Sequence, residues 1–122
     1  MSQYLRIDRE KLLQSIFQDE EILKEICQAF RDDALRLQKV LAAAEAEGSF
    51  PEAGEAMHAL KGVLGSVMAF RESREAEFLE KRFENPQEGD GDNLWKRGKN
   101  LFEELPEIQE ELRLLLEEIR RE

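Results

Sequence analysis

The 122-residue chain has one cysteine and one histidine, and both scarcities exclude whole classes of chemistry. Cys27 alone can form no intrachain disulfide and no thiolate cluster for a metal, which suits a reducing compartment. His58 alone rules out any centre that needs two imidazoles. Glu55-x-x-His58 has the carboxylate-histidine spacing of four-helix di-iron proteins, but no second Glu-x-x-His exists to complete such a site. There is no Gly-x-Ser-x-Gly elbow, no paired cysteine environment for a protease, and no glycine-rich nucleotide loop of an autonomous kinase. No apolar run approaches the roughly 18 residues of a membrane span. The opening MSQYLRIDREKLL also lacks the apolar core of a signal peptide, so a cytoplasmic protein is expected. Basic residues are in deficit, 18 against 28 acidic ones for a net charge of −10, which makes nucleic acid and anionic membrane poor partners.

What remains is a chain 38% charged and 41% hydrophobic, the balance of a soluble helical domain with solvated outer faces, and its length suits a single domain over residues 1–122. Apolar residues recur at three and four, with no sustained alternation. Asp8 can cap a short helix that turns Leu12, Leu13, Ile16 and Phe17 inward, and Asp19 opens the next. That second helix carries Ile22, Leu23, Ile26, Phe30, Leu37 and Leu41 along one stripe and ends at Gly48. Pro51 suits the first turn of a third helix, with Met57, Leu60, Val63, Leu64, Val67 and Met68 toward the core and a break over residues 70–73.

Ser73 can then cap a fourth helix holding Ala76, Phe78, Leu79 and Phe83. Residues 85–93, NPQEGDGDN, read as a mobile loop. From Leu94 to Ile119 the helical spacing resumes, and Pro106 predicts a kink or a split into two helices. At about four heptads this segment is also long enough for a coiled-coil strand. The expected fold is all-α: an antiparallel four-helix bundle with an additional short N-terminal helix. Acidic residues such as Glu103, Glu104, Glu110 and Glu111 read as solvated helix surface.

Residues 57–69 read Met-His-Ala-Leu-Lys-Gly-Val-Leu-Gly-Ser-Val-Met-Ala. At about 100° per residue, His58, Lys61, Gly62, Gly65 and Ala69 share one face, while Leu60, Leu64, Val67 and Met68 turn away from it. The histidine therefore points out of the core. Gly62 and Gly65 each cost about 0.5–1 kcal/mol relative to alanine in a helix interior, so something needs the space. Close helix packing would explain them but would bury the His58 face. An exposed imidazole that accepts a phosphoryl group, a lysine one turn along to offset the incoming charge, and a glycine beside it for clearance explain all three together.

On these residues the chain resembles the histidine-containing phosphotransfer (HPt) family, whose signature is His-x-x-Lys-Gly. Phe30, Leu41, Gly65 and the pair Leu79-Glu80 fall where that family has similar residues, and the likeness spans residues 8–119. Met57, Val63 and Met68 depart from it, standing where the family commonly has alanine, a small polar residue and glycine. The resemblance implies that His58 is phosphorylated, on Nε2, that Lys61 supports the phosphoryl group electrostatically and that Gly62 gives it room, with Gly65 and Ala69 on the docking face. It implies a phosphoryl carrier without kinase activity and without a cofactor of its own. The partner would be a response-regulator receiver domain that supplies the aspartate and Mg²⁺, fed directly or indirectly by a sensor histidine kinase. A monomer is expected. The alternative is a non-catalytic helical adaptor that binds a signalling partner through the same face.

Overall fold

The computed structural model describes residues 3–121, which form five helices and, among the described residues, no strand. Each of the first three begins where a short polar side chain meets a free backbone donor. Asp8 accepts from the Lys11 N–H at the start of α1 (Arg9–Ser15). Asp19 accepts from Ile22 at the start of α2 (Glu20–Glu47), and Ser49 from Glu52 at the start of α3 (Phe50–Ser66), with Pro51 in its first turn. α4 spans Phe70–Glu84 and α5 spans Gly91–Arg120.

α2 ends at Gly48, whose φ of 67° is left-handed and free of strain only for glycine. A Cβ at Gly48 would meet nothing within 4 Å, so its substitution tests the backbone alone. Gly48→Ala is expected to lower unfolding stability by about 1 kcal/mol in a chemical denaturation series. α3 stops by the same device without a glycine: Met68 sits at φ 61°, and the Ala69 N–H reaches back to the Leu64 carbonyl at 2.9 Å.

α3 packs most extensively on α4, α2 touches α3 and α5, and α4 touches α5, so these four helices contact one another in a ring. One core fills it, built from Leu23, Phe30, Leu37 and Leu41 of α2, Met57, Leu60 and Leu64 of α3, Leu79 and Phe83 of α4, and Leu101, Ile108 and Leu115 of α5. Leu12 and Leu13 of α1 join it. Two glycines set the approach of the helices. A Cβ at Gly98 would lie 3.1 Å from Met57 Cε and 3.2 Å from Leu41 Cδ2, and one at Gly54 would lie 3.6 Å from Phe83 Cβ.

Several local expectations are corrected. Phe17 is 90% exposed because the chain takes positive φ at Phe17 and Gln18 and turns that ring outward. Ile22 and Phe78 also lie at the surface, while Val63 and Met68 are half-buried. The break after α3 falls at residues 67–69, earlier than Ser73, which lies inside α4. The expected loop ends at Asp90, since α5 begins at Gly91. Asp90 is buried and accepts from Arg82 Nε at 3.0 Å and from the Gln87 N–H at 2.7 Å. Pro106 does not split α5, which runs through it, with the proline itself exposed. Glu111 is not solvated surface. It is 6% exposed and accepts the backbone N–H groups of Arg6 and Ile7.

Candidate functional site

α3 presents His58 to solvent, 68% exposed, because its neighbours Met57 and Leu60 point into the core and fix the helix rotation. Its Nδ1 lies 2.8 Å from Glu80 Oε2 on α4. The other oxygen of the same carboxylate, Oε1, lies 3.2 Å from Lys61 Nζ. Glu80 therefore joins the two residues of the motif across the α3–α4 seam. Its side chain is only 13% exposed. Burial works against its charge, but the hydrogen bonds from His58 and Lys61, with the charge of Lys61 behind them, outweigh burial and hold the carboxyl below its usual value.

An ionised carboxylate only accepts, so the His58 Nδ1 must carry the proton. In the neutral ring the lone pair then sits on Nε2, the nitrogen turned away from Glu80. The arrangement is a nucleophilic nitrogen in the open, oriented from behind by a carboxylate that can also balance positive charge forming on the ring.

Seam contacts hold α3 and α4 in register. Ser73 Oγ donates to the Lys61 carbonyl at 3.1 Å, and Ser73 and Glu80 are two helical turns apart on the α4 face that meets α3. Gly62 lies beside Lys61 in open space, where an added Cβ would meet nothing within 4 Å. That rules out helix packing as the reason for this glycine. Gly65 is half-buried, and a Cβ there would sit 3.8 Å from Ser73 Oγ.

Of the five residues expected on one face, the structure brings His58, Lys61, Gly62 and Gly65 together on α3 and removes Ala69. Ala69 is fully buried and opens α4, because the left-handed Met68 turns the chain before the α3 face reaches it. Met68 itself is part of this turn, so the departure from glycine there alters how α3 ends rather than what surrounds His58. The sequence resemblance includes Glu80 as a point of likeness and implies no role for it. The signal for it was its spacing of seven from Ser73, on the edge of the α4 stripe formed by Ala76, Leu79 and Phe83. Surface pockets lined by Arg31, Leu35, Phe102 and Pro106, and by Arg71, Glu75, Arg97 and Asn100, lie on the α2–α5 and α4–α5 seams rather than at His58. Among the described residues no helix is long and apolar enough to cross a membrane. No protein-family model matches the chain, and searches of curated proteins and of solved structures found no similar protein.

Proposed function

We propose that this chain is a histidine-containing phosphotransfer domain that relays a phosphoryl group between His58 and the aspartate of a response-regulator receiver domain, inside the cell. In this reading α2 to α5 form an antiparallel four-helix bundle and α1 closes one end. The observation that carries it is the hydrogen bond from His58 to Glu80, which leaves an exposed Nε2 lone pair beside the open space at Gly62.

Transfer needs no proton movement on this chain. The Nε2 lone pair attacks the phosphorus of an aspartyl phosphate, the N–P bond forms, and the P–O bond to the aspartate breaks to return its carboxylate. The ring keeps its Nδ1 proton and becomes a phosphoimidazolium whose positive charge faces Glu80. The reverse step follows the same path. Lys61, now paired with Glu80, is one side-chain rotation from the incoming phosphoryl oxygens and is 33% exposed. Mg²⁺ belongs to the receiver domain in this scheme, and a sensor histidine kinase stands upstream.

The test is incubation with a panel of phosphorylated receiver domains and Mg²⁺, scoring acid-labile, base-stable label. Label on the wild-type chain is the expected result. A panel without label would favour an adaptor that binds without transfer. A companion variant separates fold from function. Gly62→Leu adds a better helix former in open space, so stability should rise by roughly 0.5–1 kcal/mol, while the bulk keeps the receiver loop from Nε2 and transfer falls at least tenfold. Normal transfer by this variant would remove clearance from the account.

A further inference from the structure

The apolar spacing of α2 does not begin at α2. From Leu13 and Ile16 through Glu20, Leu23, Cys27 and Phe30, and on to Ala44, the intervals alternate between three and four, a heptad spacing that continues through the α1–α2 junction with Glu20 as its one charged member. A single helix would carry these residues on one face. The chain instead folds α1 back through Phe17 and Gln18, at φ 54° and 56°, neither of them glycine. Two such residues in succession store strain on the order of 1 kcal/mol each.

What holds α1 back is a specific polar clasp. The Arg6 and Ile7 N–H groups bond Glu111 Oε1 at 3.1 Å, and the Arg6 guanidinium bonds Glu72 at 3.2 Å and Glu104 at 3.0 Å, with Glu107 closing the set. Glu72 is 1% exposed, and its Oε2 has no hydrogen-bond partner. The α4–α5 groove thus holds the N-terminal segment of this chain through its carboxylates.

We propose that two copies of the chain exchange residues 3–16. Phe17 and Gln18 return to helical backbone angles, α1 and α2 join into one helix along this heptad spacing, and each N-terminal segment fills the α4–α5 groove of the other copy. A second copy is the occupant because it carries the sequence that the groove already holds, so every clasp contact is remade between chains. The turn's backbone bonds, such as Gln18 N–H to the Leu13 carbonyl, are replaced by helical ones. Released strain favours exchange and lost translational freedom opposes it, so concentration decides the balance.

Two measurements test this. Light scattering after size exclusion, on samples held at micromolar to millimolar concentration, should show a dimer at the upper end. Phe17→Gly/Gln18→Gly, which removes the strain from the folded-back form, should weaken that dimer at least tenfold. For connectivity, Asp8 and Met68, whose backbones are joined by a 2.9 Å hydrogen bond, are both replaced by cysteine in a Cys27→Ala background and oxidised. Exchange gives disulfides between chains that survive denaturant. A monomer at every concentration, a dimer whose disulfides stay within each chain, or a Gly/Gly variant that dimerises like wild type would each overturn the proposal.

Discussion

His58→Gln should take up no phosphoryl group from any receiver that labels the wild-type chain. Glutamine keeps comparable size and polarity, and its amide can still meet Glu80, but its nitrogen lone pair is delocalised into the carbonyl and does not attack phosphorus. The side chain at this position is 68% exposed, so the substitution should leave unfolding stability within about 0.5 kcal/mol. Loss of label with an unchanged melting curve places the defect in the chemistry. Equal label on variant and wild type would move the acceptor elsewhere and leave His58 without the role assigned to it.

The second large effect is expected at Glu80. Glu80→Ala leaves the ring of His58 free to rotate and to carry its proton on either nitrogen, and it removes the charge that faces the phosphoimidazolium. A fall in the transfer rate on the order of 10²-fold follows by analogy with other carboxylates that orient a histidine. Glu80→Gln separates the two contributions, because its carbonyl oxygen still accepts from Nδ1–H while the charge is gone. A rate between wild type and Ala means that orientation and charge both act; a rate equal to that of Ala means that charge dominates; wild-type rates for both variants would remove Glu80 from the mechanism. The same carboxylate should show in the pH dependence of stability. Its pKa is lowered in the folded chain, so its contribution is fully present above the unfolded carboxylate value of about 4.3 and is lost as pH falls through the folded value. Glu80→Gln should therefore flatten the acid limb of the stability profile.

The helices themselves were legible because their signals are local. Three-and-four spacing, the caps at Asp8 and Asp19, Pro51 in the first turn of α3, and the glycine that ends α2 at position 48 depend only on neighbours in the chain. The exposure of His58 followed for the same reason, since rotation about α3 is fixed by Met57, Leu60 and Leu64. What the sequence hid is set by other elements or by rare backbone choices. Phe17, Gln18 and Met68 adopt positive φ without any residue type that announces it, and this is what exposed Phe17 and buried Ala69. The resemblance includes Glu80 without a role, because its bonds to His58 and Lys61 depend on how α3 and α4 are aligned across a turn. Glu111 has the sequence pattern of solvated charge, but the N-terminal segment lies against it.

The most direct test of the central claim is to ask which atom carries the phosphorus. With the histidine ring labelled with ¹⁵N and the chain phosphorylated by a receiver domain and Mg²⁺, nuclear magnetic resonance should show ³¹P coupled to His58 Nε2, with Nδ1 still protonated. Phosphorus on Nδ1, the nitrogen that the structure commits to Glu80, or a ring left unmodified while the label sits on another residue, would contradict the account.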